Sequence, residues 1–289
     1  MRKIIACAAF LILQTSGFSQ TYRNKVGELI SAENYFAALA KSQGIKKAFL
    51  KVSTKNTLIF RQGPVKVVDF YSRHPDSLSG ALAWEPAYAK ISKSGDWGFT
   101  TGPYTYKKND TAEAVNYGTY VSVWKKNEKG IWKLALDAGV SHSKPKVEAK
   151  RVFDDADPGR FIQQHSKSRL KQREDIVLSS DKLYATILKA DNDIARKEFL
   201  ADDTRLLFPG VEPMIGKKTV TDFWGKNKVK VNSAASVADR AFSGELAYTY
   251  GTATVSKNGE DRIYGYVRIW QVQPGFIWKV LEELFIPGD

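Results

Sequence analysis

The sequence predicts an α+β fold in which two tandem domains each pack N-terminal helices on one face of a curved antiparallel sheet. Three observations lead to this prediction. Each half opens with apolar residues at helical spacing, and then continues with Tyr, Val, Trp and Thr residues that alternate with polar ones, as in strands. Blocks of the first half also recur, in the same order, in the second half. Helices followed by strands joined through hairpins are typical of the α+β class.

Both halves have the same order of predicted elements. A long helix comes first, two short helices follow, and alternating strand segments begin at residue 82 in the first half and at residue 237 in the second. The predicted helices cover residues 26–39, 45–50 and 65–71 in the first half and residues 176–188, 193–200 and 219–224 in the second.

The repeat divides the chain into a first domain over residues 21–143 and a second over residues 174–289. Residues 144–173 between them are polar, basic and contain proline and glycine, which predicts a basic connector. The clearest matching blocks are residues 95–102, 120–124 and 130–133 of the first copy and residues 244–251, 266–270 and 276–279 of the second.

The first twenty residues have the pattern of a secretory signal peptide. Two basic residues precede an apolar run over residues 4–13, and small residues follow at 16–19. The run is too short to span a membrane, and no later stretch reaches the required length, so no transmembrane segment is expected. We therefore predict a signal peptide over residues 1–20 and a secreted, periplasmic protein.

Composition excludes several classes of protein. With 43% hydrophobic and 12% aromatic residues, the chain of 289 residues is not disordered and can form two domains. A single cysteine excludes a disulfide framework and multi-cysteine metal sites, and the three histidines have no metal-ligand spacing. We therefore expect neither a metal nor a cofactor.

The matching blocks resemble the SnoaL-like, nuclear transport factor 2-like (NTF2-like) domains, and in particular the secreted bacterial branch called domain of unknown function 4440. The resemblance rests on the strand Gly95–Gly102, the Tyr-x-x-x-Trp strand at Tyr120–Trp124 and the Gly-x-Trp-Lys turn that follows. It implies a cone whose curved sheet wraps the helices and leaves a pocket at the open end. This fold serves enzymes, ligand binders and assembly modules, so it does not decide the function.

An acid or base in such a pocket would need a carboxyl group at a matched strand position. Asp137 and Glu283 match each other and are the candidate catalytic residues, because alternation places Asp137 on the face opposite the apolar residues of its strand. The candidate ligand-binding residues are Trp84, Asp96, Tyr104, Tyr120 and Glu245. The alternative interpretations remain open: an acid beside a glycine is typical of a turn, and tryptophans at strand spacing are typical of core packing.

The positive charge belongs to one part of the chain. The net charge of +13 comes from the first domain, at +8, the connector, at +5, and Arg2 and Lys3, at +2, whereas the second domain carries −2. This asymmetry favours a complementary contact between the two copies over attraction to an anionic partner. No nucleic-acid reader motif is present, so nucleic acid is not an expected partner.

Three hypotheses about function follow. The first is a binding protein whose cone pocket takes a small, partly apolar molecule. The second is an acid/base enzyme of the isomerase, dehydratase or cyclase type that uses a pocket carboxylate. The third is a structural or partner-binding protein in which the two domains pair within one chain as a pseudo-dimer, with sheet packed on sheet.

Overall fold

The computed structural model describes residues 25–74, 80–108, 113–156 and 159–288. They form two α+β units, each with three helices and a curved sheet, so the predicted fold class is confirmed. The predicted signal peptide lies outside the described residues. No described helix combines the length and the apolar character that crossing a membrane requires.

The first unit contains a sheet of eight strands. Seven of them follow the order β2-β1-β7-β6-β5-β4-β8, and β3 pairs with β5 beside this path. The helices are α1 (Lys25–Gln43), α2 (Ile45–Val52) and α3 (Val67–Arg73), and the strands are β1 (Ser53–Arg61), β2 (Gly63–Lys66), β3 (Ala81–Trp84), β4 (Tyr88–Ile91), β5 (Trp97–Lys107), β6 (Ala114–Lys126), β7 (Trp132–His142) and β8 (Val152–Asp154).

The second unit contains a six-stranded sheet in the order β10-β9-β14-β13-β12-β11. One long strand, β11, lies where the first unit has β3 and β4, and β8 has no counterpart; the other elements follow the pattern of the first unit. The helices are α4 (Lys167–Ala190), α5 (Asn192–Phe199) and α6 (Lys217–Lys226), and the strands are β9 (Leu200–Leu207), β10 (Met214–Ile215), β11 (Lys230–Arg240), β12 (Leu246–Lys257), β13 (Glu260–Gln273) and β14 (Ile277–Pro287).

The sheets differ from the prediction because they are mixed rather than wholly antiparallel. The first strand of each unit, β1 or β9, lies parallel to the last long strand, β7 or β14. Alternation along a strand shows which side chains share a face, but it does not show which distant strand lies alongside. The sequence pattern could therefore predict the strands without predicting these parallel pairs.

The predicted connector contains regular structure. Within it, β8 pairs parallel with β4 of the first unit, and α4 of the second unit begins at Lys167. The segment therefore extends the first sheet before it enters the second unit. The domain boundaries themselves stay predictions.

The two faces of each sheet have different partners. One face holds the unit's own helices, through a core that includes Leu29 and Phe36 in the first unit and Tyr184 and Trp224 in the second. The opposite faces of the two sheets pack on each other. This inter-sheet layer contains buried residues of both units, among them Phe60, Trp97, Phe99, Val121, Val123, Leu246, Tyr248, Val267, Ile269 and Leu284.

Candidate functional site

A cavity of about 310 Å³ lies in the first unit between its helices and the concave face of its sheet. Its wall contains four of the sequence-predicted site residues, which come from four different strands. Its wall is formed by Phe36, Ala40, Gly44, Ile45, Phe49, Arg61, Gly80, Leu82, Trp84, Tyr104, Tyr106, Asn116, Tyr120, Asp137, Ala138 and Gly139.

Asp137 lies on β7, next to β1 and β6. Leu136 and Ala138 belong to the inter-sheet layer, so alternation turns the Asp137 side chain toward the cavity. Its partner in register on β6 is Ser122, whose hydroxyl donates to Oδ2 of Asp137 over 2.8 Å. The Ser122 bond is the one side-chain hydrogen bond found for this carboxyl group among the described residues, and Asp137 lies on the cavity wall.

The surroundings of Asp137 favour its protonated form. Burial, together with the nearby carboxyl group of Glu33, raises the pKa of Asp137 to about 7, although the hydrogen bond from Ser122 and the charge of Arg61 oppose the rise. The Arg61 side chain is exposed on the cavity wall, so water screens its charge. Asp137 can therefore exchange a proton near neutral pH.

Glu33 is a second buried carboxyl group, which the sequence analysis missed. It lies on α1 and is fully buried; the indole of Trp84 donates to Oε1 over 2.6 Å, and the indole of Trp124 and the hydroxyl of Thr100 donate to Oε2 over 2.8 and 2.6 Å. Burial raises the pKa of Glu33, and these hydrogen bonds oppose the rise. The arrangement places a polar centre behind the cavity wall.

The other predicted residues of the wall contribute aromatic surface and hydroxyl groups. Trp84 turns its indole nitrogen to Glu33, and the hydroxyl of Tyr104 lies 2.9 Å from that of Ser141. The buried hydroxyl of Tyr120 has no hydrogen-bond partner among the described residues. It is therefore a free donor beside the cavity.

Two glycines make space for the Tyr104 ring and for the cavity beside Asp137. A Cβ atom at Gly118 would lie 2.3 Å from Cζ of Tyr104, so only glycine lets this ring lie across β6. Gly139, opposite Tyr120 on β7, leaves the space beside Asp137 open. The cavity depends on these two missing side chains.

The second unit has larger side chains at the corresponding positions. Thr100, Ser122 and Asp137 are neighbours across β5, β6 and β7, and Thr249, Arg268 and Glu283 are neighbours in the same way across β12, β13 and β14. By the same register, Phe285 corresponds to Gly139 and Tyr264 to Gly118, and both are buried in the core of the second unit.

Glu283 is therefore placed in a packed interior. Oε1 of Glu283 accepts from Nε of Arg268 over 2.7 Å, and Nη1 of Arg268 forms a second ion pair with Asp181. Arg268 and Asp181 are fully buried and Glu283 nearly so. The carboxyl group of Glu283 is occupied by an internal cation, in contrast to that of Asp137.

Asp96 and Glu245 lie at the contact between the units and not in the cavity. Oδ2 of Asp96 accepts from the backbone N–H of Phe242 over 3.3 Å, and Oε1 of Glu245 accepts from the backbone N–H of Lys93 over 2.6 Å. These reciprocal bonds give both acids a role in joining the units. In the described ranges, no group of three or more His, Cys, Asp or Glu side chains could hold a metal ion.

No protein-family model matches the chain, and no curated protein matches it. Solved structures similar to it include an NTF2-like protein from Cytophaga hutchinsonii, with 18% identity over 39% of this chain and 96% of that one and a TM-score of 0.34. A ketosteroid isomerase-like protein from Erwinia carotovora atroseptica shares 15% identity over 38% of this chain and 92% of that one, with a TM-score of 0.34. An LEH-like epoxide hydrolase from M. tuberculosis shares 10% identity over 39% and 79%, with a TM-score of 0.32.

Each unit of this chain has the α+β arrangement that the sequence predicts, with three helices and a curved sheet whose one face packs on them. The NTF2-like resemblance stays a prediction. The branch called domain of unknown function 4440 is not distinguished by any of these comparisons and stays a prediction. The tandem repeat is indicated by the two sheets and their common strand order.

Proposed function

We propose that this protein binds a small, partly apolar molecule in the cavity of the first unit. The observation that carries the proposal is a cavity of about 310 Å³ with aromatic walls and few polar groups, Asp137 among them. Small-molecule sites have this character: a mostly apolar concave surface with a few polar groups that orient the ligand. The signal-peptide pattern at residues 1–20 supports a secreted, periplasmic location as part of the same proposal.

Filling the cavity should abolish this binding. Ala40 lines the cavity from α1, so Ala40→Phe places a ring in the ligand's volume. We expect the full chain to bind benzyl alcohol, used as a small neutral probe, and Ala40→Phe to weaken that binding at least tenfold in isothermal titration calorimetry. Ala38→Phe, on the exposed face of the same helix, is the matched control and should bind as the wild type does. Equal binding by both variants would contradict the proposal.

A second candidate function is acid/base catalysis in the same cavity. It is favoured by one observation: a carboxyl group with a pKa of about 7, on Asp137, and the unpartnered hydroxyl of Tyr120 belong to the wall of one cavity. A base that removes a proton next to a carbonyl group and a hydroxyl that donates to the resulting oxyanion form a sufficient pair for an isomerase-type reaction.

Proton exchange at a carbonyl compound tests this candidate. We expect the wild type to accelerate deuterium exchange at the α-carbons of cyclohexanone in D₂O, with a rate that rises as the pH passes through about 7, because the base must be ionised. Asp137→Asn should lower the rate by about 100-fold or more. Asp69→Asn, at an exposed acid of α3, is the control. A wild-type rate equal to that of buffer excludes this reaction.

A further inference from the structure

The interior of the second unit shows how this fold holds a cation. The guanidinium carbon of Arg268 lies 4.5 Å from the ring centroid of Tyr184 and 4.2 Å from that of Tyr266. Its nitrogens bond Glu283 and Asp181, and the hydroxyl of Ser233 lies 3.2 Å away. Two aromatic faces and two carboxylates therefore surround one buried positive charge, an arrangement that stabilises it by cation–π contacts and charge-assisted hydrogen bonds.

The first unit has the same set of surrounding groups. Register places Asp137 where the second unit has Glu283, and Tyr120 where it has Tyr266.

The helices correspond in the same way. Glu33 on α1 accepts a hydrogen bond from Thr100. Asp181 on α4 accepts one from Thr249, which occupies the position in the second unit that Thr100 has in the first. Three residues further along each helix, Phe36 and Tyr184 occupy corresponding positions.

The cation itself is missing from this set. Ser122 stands at the position of Arg268, and Glu33 accepts from the indole of Trp84 where Asp181 accepts from Arg268, so the open space lies beside Asp137. Phe36, Tyr120 and Asp137 all line the cavity, and Glu33 lies behind its wall. The nearby positive side chain is Arg61, which is exposed and lies over the ring of Phe70 at 5.4 Å.

We propose that the cavity of the first unit binds a cationic group, a guanidinium or ammonium carried on a small apolar or aromatic body, with Asp137 as its counter-ion. The ligand's positive group takes the place that the Arg268 side chain fills in the second unit. This inference deepens the proposed function and rests on it, since it names the chemical class of the ligand for the same cavity.

The charge state of Asp137 makes this binding depend on pH. The groups that face it are Glu33 from α1, Arg61 from β1, and Ser122 and Tyr120 from β6. Above a pH of about 7 the Asp137 carboxyl group is ionised and attracts a cation, and below that pH it is protonated and neutral. Cation affinity should therefore fall as the pH is lowered, whereas the affinity for a neutral ligand of the same shape should not.

Two probes of similar size separate charge from shape. We would titrate the full chain with benzamidine, which is cationic, and with benzyl alcohol, which is neutral, at pH 8.0 and at pH 5.5. The expected result is at least tenfold tighter binding of benzamidine at pH 8.0, and loss of most of this preference at pH 5.5. Asp137→Asn, a neutral replacement of similar shape, should abolish the preference at both pH values.

Ser122→Arg supplies the missing cation from the chain itself and should exclude benzamidine. Ser31→Arg, which adds the same charge on the exposed face of α1, is the matched control and should leave binding unchanged. Thermal unfolding of each variant checks that it is folded. If Ser122→Arg does not fold, Asp137→Asn still tests the proposal.

The outcomes distinguish this inference from the proposed function. Equal affinity for the two probes at pH 8.0, or a preference that survives in Asp137→Asn, overturns the cationic ligand and leaves a neutral binding cavity. If neither probe binds the wild type, both the inference and the proposed function are contradicted.

Discussion

Replacing Arg268 by Met should lower the free energy of unfolding by about 3–5 kcal/mol, because it leaves two buried carboxylates without their cation. Arg268 and Asp181 are fully buried, and Glu283 is 3% exposed, so water cannot solvate the charges that remain. Methionine keeps much of the side-chain volume, which separates the loss of charge from the creation of a cavity. The measurement is urea unfolding at pH 7, followed by the fluorescence of the seven tryptophans.

Arg151→Met provides the matched control. Arg151 also pairs with a carboxylate, Glu85, but both side chains are more than half exposed. Exposed ion pairs contribute about 0–1 kcal/mol, so this variant should unfold close to the wild type. If the two variants lose similar stability, the buried cluster does not hold the second unit together as described.

Glu282→Gln should stabilise the protein at pH 8 by roughly 1–3 kcal/mol and leave it almost unchanged at pH 4. Glu282 lies on β14 and is 1% exposed, and neither of its carboxyl oxygens has a hydrogen-bond partner among the described residues. The hydroxyl of Thr101 in the first unit is not available to Glu282, because it donates to the backbone carbonyl of Tyr120. Burial raises the pKa of Glu282 to about 7, although the charge of Arg205 opposes the shift.

The direction of the pH effect follows from linkage. Between the ordinary pKa of 4.5 and the raised pKa of about 7, the unfolded chain has lost the Glu282 proton while the folded chain still holds it. Stability of the wild type therefore falls as the pH rises through this window, and glutamine removes that part of the fall. Asp137 contributes a slope of the same sign in both proteins. Urea midpoints from pH 4 to pH 8 measure the difference, and a difference that does not change with pH would refute the assignment.

Alternation predicted the face on which Asp137 lies. It placed Asp137 opposite the apolar residues of its strand, and in the structure Asp137 lies on the cavity wall together with Trp84, Tyr104 and Tyr120. The catalytic and ligand-binding roles of these four residues stay predictions. The same period fixes a side chain's face whatever strand lies next to it.

The sequence pattern could not predict which side chains of neighbouring strands surround each candidate acid. Glu283 matches Asp137 in the repeat, but its surroundings are set by Arg268 on the neighbouring strand. Asp96 and Glu245 each follow a glycine, and each accepts a hydrogen bond from a backbone N–H of the other unit. These bonds join residues about 150 positions apart in the sequence. Strand register and the contact between the units decide the roles of these acids, and the local spacing of residues predicts neither of them.

Two useful signals were present in the sequence. Glu33 continues the apolar stripe of α1 through Leu29 and Phe36, and an acid on such a stripe indicates a buried polar centre. Likewise, the aligned blocks Tyr120–Trp124 and Tyr266–Trp270 differ in charge at one position only, the central one, where Ser122 is aligned with Arg268. A charge at an inward strand position requires a counter-ion, so this difference separates the two interiors.

The inter-sheet layer has a consequence for how the chain can change by mutation. Ligand cavities with unpaired ionisable groups reduce folding stability, and many proteins are limited by that trade-off. Here the filled second unit shares a continuous buried layer with the open first unit, so stability added in one interior also supports the other. We therefore expect the first unit to tolerate destabilising substitutions around Asp137, because the second unit adds stability through the shared layer. In laboratory evolution, we expect functional diversity to accumulate in the first cone and sequence constraint in the second.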